Sequence, residues 1–476
     1  MRLTALDASF LEFEDAVTHM HIGSIALFEG PPPTHEVLRA DVLAKLALVP
    51  RYRQLVRFVP FRAGLTVWVD DPHFNLDYHL RRTGLPRPGG EQQLHLLVGR
   101  VMSQQLDRSK PLWEMWVAEG LEEDRWALVS KVHHCMVDGV AGSDLLTVLL
   151  DRERDPALSA SRPWTPKAAP GGLALLAESL VGDLLIPYAA ARALRTPFEL
   201  FRRGQDAARG LLRMRGLVRP APPSSLNGSV GPHRLWSMAR TRLADVKAVR
   251  ATYGGTVNDV VLACITGGFR ALLLFRGESV ERAVRTMVPV SVRSPGEHGD
   301  YNNRVSAMFA ELPVAIEDPV GRLRSISAQM GDLKQSKQAV AGEVLTALGG
   351  FAPPLLLALG ERLATRVPQH NINTVTSNVP GPQYPLYAAG RKMLEAFPYV
   401  PLGGHVRVGV AIFSYDGALT FGVTGDYDTA ADTEVLCEGI EQAMAELLHA
   451  CGTRRRPPAR RQAPTARRSR SARAHA

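Results

Sequence analysis

Two stretches of alternating strand-like and helix-like pattern flank a long irregular break, and this arrangement limits what the chain can fold into. Before the break, His21–Phe28 reads as a strand, His35–Leu48 as a helix and Thr66–Val69 as a short strand. Glu91–Leu106 follows as an amphipathic helix and Arg125–Val132 as a strand, and Val140–Leu150 resumes helical periodicity. The break opens with DRERDPALSASRPWTPKAAPGG, whose Pro, Ser and charge are linker chemistry. Two amphipathic helical stretches follow, near Leu173–Ala190 and Pro197–Leu217. Beyond it, Leu243–Tyr253, Thr256–Phe275, Pro319–Gln335 and Asp432–Leu448 read as helices. Arg285–Val292, Val305–Leu312, Asn373–Ser377, His405–Tyr415 and Leu419–Tyr427 read as strands. Irregular alternation of this kind fits mixed sheets better than a strict doubly wound sheet, so the expected class is α/β (α+β) with two units. The length of 476 residues exceeds one ordinary core and agrees. The expected division is 1–155, a linker at 156–233, 234–452, and a disordered tail at 453–476.

The net charge of +9 is a property of that tail. Residues 453–476 hold nine arginines and no Asp or Glu, so the remaining chain sums to zero. A nucleic-acid-binding domain carries its basic face within the fold, so no nucleic-acid partner is expected. Cys135, Cys264, Cys437 and Cys451 form no Cys-x-x-Cys pair and no zinc spacing, which reads as a reduced, cytoplasmic protein. The N-terminus MRLTALDASF has no secretory pattern. Val344–Gly360 is apolar but is interrupted by Gly349, Gly350, Pro353 and Pro354, and it is shorter than the roughly 20 residues of a membrane span.

The chain contains no G-x-S-x-G, no P-loop, no dinucleotide G-x-G-x-x-G after a strand and no H-E-x-x-H, which argues against the enzyme classes built on them. What it does contain is His133-His134-Cys135-Met136-Val137-Asp138-Gly139, at the junction of an apolar strand and a helix. Neighbours on an extended strand point to opposite faces. One histidine of the pair therefore serves as a base and the other packs. Asp138 lies four residues after His134, so a curling chain brings it back beneath the ring, and Gly139 permits the tight turn. A neutral imidazole takes a hydroxyl proton at neutral pH. A metal site built on His133, His134 and Asp138 is disfavoured, because adjacent histidines rarely converge on one ion and no further ligand cluster is evident. Cys135 reads as a small apolar filler rather than a thiolate.

HHCMVDG resembles the HHxxxDG motif of CoA-dependent acyltransferases. The wider pattern is closest to the bacterial wax ester synthase/diacylglycerol acyltransferase family. Supporting segments run in order: Asp7–Glu14, Met20–Gly23, Trp68–His79 with LPRPGG, Pro111-Leu112-Trp113-Glu114, Asn258-Asp259, Pro289–Arg293, Asn303-Arg304-Val305, Ser377–Pro382 and Ser414–Gly417. The resemblance covers about residues 1–450 and leaves the tail outside.

It implies two chloramphenicol-acetyltransferase-like domains with mixed sheets and a tunnel between them. It also implies acyl transfer from long-chain acyl-CoA, a co-substrate with no bound cofactor, to the hydroxyl of diacylglycerol or a fatty alcohol; a related transfer to another hydroxylated lipid or polyketide is the alternative, since the same histidine would serve it. His134 is then the general base. Asp138 shapes the motif loop, with Arg293 or Arg304 as a partner. Asn258 is read two ways, as an active-site amide or as the N-cap of the apolar helix that follows. Pro111, Leu112, Trp113 and Glu114 are read as tunnel wall or as a packing turn, with the turn favoured for Pro111 and Glu114. Gly381 and its neighbours, with Ser377 and Asn378, are expected in a rigid loop near the tunnel. A lipid acceptor implies a peripheral association with the inner face of the membrane or with lipid bodies. The Arg-rich stretch 197–219 and the tail are the segments that could supply it.

Overall fold

The computed structural model describes residues 2–60, 66–136, 149–155, 164–177, 220–291, 305–335 and 371–452. The first half of the chain supplies strands β1 (His21–Glu29), β2 (Gln54–Arg57), β3 (Val67–Asp70), β4 (Leu80–Gly84), β5 (Trp113–Leu121) and β6 (Arg125–His133). The second half supplies β7 (Arg234–Arg242), β8 (Val284–Ser291), β9 (Val305–Leu312), β10 (Thr374–Pro380), β11 (Tyr387–Ala388), β12 (Arg391–Tyr399), β13 (Val408–Tyr415) and β14 (Ala418–Asp426). The α-helices whose bounds lie among the described residues are α1 (Ala5–Phe13), α2 (His35–Lys45), α3 (Leu76–His79), α4 (Glu91–Met102), α5 (Leu243–Tyr253), α6 (Val257–Phe275), α7 (Pro319–Gln335) and α8 (Thr433–Ala450).

Two six-stranded mixed sheets organise these elements. One runs β11-β12-β1-β6-β5-β4 and the other β7-β14-β13-β10-β8-β9. In the first, only β4 and β5 pair in parallel; in the second, β10 runs parallel to both β13 and β8. The first sheet thus takes two strands, β11 and β12, from the second half of the chain. These strands were not visible in the sequence, because β12 (RKMLEAFPY) carries Arg391, Lys392 and Glu395 among its apolar residues. Its charges find partners in the fold instead: Arg240 of β7 holds Glu395 at 2.8 Å, Lys392 Nζ lies 3.5 Å from Asp416, and Arg391 Nε donates to the Pro31 carbonyl at 3.0 Å. The backbone of β12 lies directly on the second sheet. Trp236 Nε1 donates to the Pro398 carbonyl at 3.2 Å, and Thr420 Oγ1 donates to the Ala396 carbonyl at 2.6 Å. At Gly422 of β14 a Cβ would lie 1.7 Å from the Pro398 oxygen, so only glycine allows this approach.

β6 shows how the sequence places the site. Its period-2 alternation sends Trp126, Leu128 and Val132 into one apolar cluster and Ala127 and Val129 into another, so the strand is covered on both faces. Lys131 is fully buried on this strand, where its Nζ donates to the carbonyls of Val101 (2.9 Å) and Gln104. It thereby ties β6 to the C-terminal end of α4, and desolvation brings its pKa down to about 8. Helix α6 is long and apolar enough to cross a membrane, yet it is a core helix. Gly267 and Gly268 let it pack against Ala443 and Ile440 of α8.

Candidate active site

β6 ends at His133, and His134–Met136 form a single 3-10 turn. The two histidines have different surroundings. His133 is fully buried, its Nδ1 accepts the Cys135 N–H at 3.1 Å, and its proton therefore sits on Nε2. That nitrogen faces Glu14 Oε2 at 3.5 Å. His134 keeps part of its surface accessible. Its N–H donates to the Met20 carbonyl at 2.8 Å, and its ring stacks on Phe10 of α1 with centroids 3.9 Å apart. Its Nδ1 is buried without a hydrogen-bond partner among the described residues. Desolvation, reinforced by His133, lowers its pKa to about 4, so the imidazole is neutral at physiological pH. Of the pair, His134 is the ring that can meet a substrate, and His133 belongs to the support beneath it. Cys135 is buried and desolvation pushes its thiol well above the ordinary range, which makes it packing rather than a nucleophile.

Beneath the turn lies a group that motif reading missed. Glu14, just past the end of α1, has a side chain only 2% exposed. Oε1 lies 3.2 Å from His21 Nε2 and accepts the Met20 N–H at 3.3 Å; Oε2 accepts from Arg108 Nη2 at 2.9 Å. Burial opposes the charge, but the His133 and His21 rings that face it outweigh this and hold the carboxyl well below its usual range. Desolvation also lowers the pKa of His21, to about 3.

Pro111 and Leu112 lead into strand β5, which begins at Trp113, and the Trp113 N–H donates back to the Pro111 carbonyl at 2.9 Å. Pro111, Leu112, Trp113 and Glu114 are all buried. The Leu112 carbonyl accepts the His133 N–H at 2.9 Å, so this segment anchors the end of β6 directly. Trp113 stacks on His79 at 4.5 Å and donates Nε1–H to the Tyr52 carbonyl at 2.8 Å. Glu114 pairs with Arg81 at 3.1 Å and accepts from Trp116 Nε1 at 3.0 Å.

A second cluster gathers at the start of α6. Thr256 is its N-cap, and Thr256 with Asp259 forms the capping box; Asp259 is buried there and Oδ2 accepts the Thr256 N–H at 2.8 Å. The N-cap reading of Asn258 is therefore replaced: Thr256 does that work. The Asn258 side chain instead meets β10, where Asn378 Nδ2 donates to its Oδ1 at 3.1 Å. Ser377 precedes Asn378 on β10, opposite Ala411 of β13. Gly381 follows the strand; its N–H donates to Ser414 Oγ at 3.2 Å, and a Cβ there would lie 2.3 Å from the Ser414 carbonyl oxygen. Val379 packs on the same apolar cluster that contains Cys135, Met136 and Leu112. Asp138, Gly139, Arg293 and Arg304 lie outside the described residues, as do the stretch 197–219 and the tail. Among the described residues no group of three or more His, Cys, Asp or Glu side chains is arranged to hold a metal ion.

Comparison with known proteins matches these features to one family. Residues 3–261 match the model of the wax ester synthase/diacylglycerol acyltransferase catalytic domain, and residues 301–448 match the C-terminal domain of the same family. The chain belongs to the wax ester synthase/diacylglycerol acyltransferase family. It is 38% identical over 468 residues to a protein named a probable diacylglycerol O-acyltransferase in Mycobacterium tuberculosis, covering 96% of this chain and 98% of that one. A second M. tuberculosis relative is 32% identical over 458 residues, covering 94% of this chain and 91% of the relative. Among solved structures, the wax ester synthase/diacylglycerol acyltransferase of Marinobacter aquaeolei VT8 superposes with a TM-score of 0.66 at 27% identity, covering 95% of this chain and all of that one. The first condensation domain of the CDA synthetase shares the fold, with a TM-score of 0.58 at 16% identity over 94% of this chain and 96% of that one.

This wax ester synthase/diacylglycerol acyltransferase member is therefore an acyltransferase with the chloramphenicol-acetyltransferase-like two-domain architecture. Glu14 and His21 lie inside the segments that carried the family resemblance, Asp7–Glu14 and Met20–Gly23, but no spacing rule ties either residue to a motif so distant in the chain. Arg108 had no signal at all, being one arginine in a polar connection between α4 and β5.

Proposed function

We propose that this acyltransferase moves the acyl group of a long-chain acyl-CoA onto the free hydroxyl of diacylglycerol, with His134 as general base. The observation that carries this reading is the neutral, partly accessible His134 ring, fixed at the end of β6 by the Met20 carbonyl and the face of Phe10. Its Nδ1 is buried, which leaves Nε2 to meet the acceptor. Nε2 takes the hydroxyl proton as the acceptor oxygen attacks the thioester carbonyl. The tetrahedral intermediate expels the CoA thiolate, which takes up that proton from His134; no acyl-enzyme forms. Proton transfer of this kind contributes roughly 10²–10⁴-fold. Asn258 serves as the amide donor near the developing oxyanion, with Asn378 fixing its other end. The choice of diacylglycerol rests on the names of the mycobacterial relatives. Because that acceptor resides in a lipid phase, the enzyme works as a peripheral protein at the cytoplasmic face of the membrane or on lipid bodies.

The test is transfer from palmitoyl-CoA by the purified protein, offered diacylglycerol and hexadecanol in competition, with His134→Ala alongside. Triacylglycerol is the expected main product, and at least a 100-fold loss is expected in the variant. A dominant hexadecyl ester overturns the acceptor assignment. Full activity in His134→Ala overturns the base.

A further inference from the structure

We propose that Glu14 is a positioning residue for the catalytic turn, acting on His134 through His133 and through the Met20 backbone. The inference rests on the reading of His134 as base. Glu14 reaches His134 by three routes. Its Oε1 accepts the N–H of Met20, and the carbonyl of that same residue accepts the His134 N–H at 2.8 Å. Its Oε2 faces His133 Nε2, and the opposite nitrogen of that ring accepts the Cys135 N–H, so the residues on both sides of His134 are tied to the carboxylate. Finally, Glu14 directly follows α1, and α1 brings the Phe10 ring onto His134.

The chemistry requires a carboxylate here rather than any polar side chain. Oε1 meets a backbone N–H. Oε2 meets Arg108 Nε at 3.2 Å, Arg108 Nη2 at 2.9 Å and a His133 ring whose proton faces it. Donors thus converge on both oxygens, and only an acceptor-only group satisfies them. A glutamine has the same shape, but its NH2 must face either the Met20 N–H or the Arg108 and His133 donors. The groups in ion-pair range of the carboxylate are His21 on β1, His133 on β6 and Arg108 in the connection before β5, and its charge also reaches His19 and the buried Lys131. Arg108 is one-third exposed, so solvent can stabilise it when its partner is neutral. The position is therefore open to substitution.

The experiment measures kcat and KM for palmitoyl-CoA and diacylglycerol in the full chain. The variants are Glu14→Gln, Arg108→Gln, the double variant, and His134→Ala. Glu14→Gln is expected to lower kcat by about 10–100-fold, the scale of a misplaced catalytic group, with both KM values within about 3-fold and a cooperative thermal transition retained. The double variant removes both charges, and its kcat is expected to stay low. Wild-type kcat in a folded Glu14→Gln protein overturns the proposal. Recovery of kcat in the double variant also overturns it, because Glu14 would then only neutralise Arg108. Should Glu14→Gln not fold, the double variant is read in its place; loss of the folded state in both assigns Glu14 to the fold and not to the turn, which again overturns the proposal. His134→Ala separates the two readings. An active His134→Ala defeats the base itself, whereas an inactive His134→Ala beside a fully active Glu14→Gln defeats only the positioning role.

Discussion

His133 and His134 are chemically identical and adjacent, yet their positions give them opposite duties. The strand ends at His133 and the chain enters a 3-10 turn at His134, so one ring is consumed by the buried Glu14 and the Cys135 N–H while the other lies under Phe10 with part of its surface open. That the two rings part was legible from their place at a strand end; which ring took which duty was not legible from spacing, since it depends on Glu14 and Met20 arriving from the N-terminal segment. The surroundings also set the pH range. A base works only when deprotonated, and desolvation holds the pKa of His134 near 4, below the ordinary histidine value. Falling pH therefore removes activity only once it approaches that lowered pKa. The kcat/KM profile is expected to be flat from about pH 7 to pH 5 and to fall about tenfold per unit below about 4. Initial rates between pH 3 and 8 check this, and an acid limb centred near 6.5 would show that the ring is solvated like a free imidazole.

The start of α6 shows how an element can hold a proposed active-site amide among its structural residues. Three candidates for capping within four residues, Thr256, Asn258 and Asp259, stand before an apolar run, and Asn is as good an N-cap as Thr. The observed geometry selects Thr256, with Asp259 closing the box, and Asn258 is released to pair with Asn378 across to β10. Cap and amide make separable predictions. Thr256→Ala is expected to lower stability by about 1 kcal/mol with little effect on turnover. Asn258→Ala is expected to stay within about 0.5 kcal/mol of wild type in urea unfolding while losing at least about tenfold in kcat. A larger stability loss from Asn258→Ala than from Thr256→Ala would return Asn258 to a structural role. The legibility of elements follows their apolar content. β6, β13, β14 and α6 stood out because burial on two faces demands long apolar runs. β5 and β12 did not, because β5 begins inside a motif that reads as a turn and β12 balances its charges with Arg240 and other partners that only the fold provides.

At the scale of the whole molecule, the two six-stranded mixed sheets were foreseeable as two irregular α/β units, but their wiring was not. A sequence suggests contiguous units; here the first sheet is completed by β11 and β12, whose residues lie between β10 and β13 of the second. β1, the central strand, has β6 on one side and β12 on the other, pairing from Gly23 with Tyr399 to Phe28 with Met393. Without β12, β1 becomes an edge strand with a row of unpaired backbone groups and buried residues such as Ile25 and Phe28 beside it. The second sheet loses its cover as well, since Trp236, Thr420 and Gly422 all close onto the β12 backbone. The halves are thus expected to fold only together. Residues 1–219 expressed alone should give no cooperative thermal transition and should aggregate through the exposed β1 edge. Co-expression with 220–476 should restore a soluble complex that melts in a single step. Circular dichroism melting of the separate and combined fragments decides the matter: a cooperative transition in 1–219 alone would mean that β12 decorates the first sheet instead of completing it.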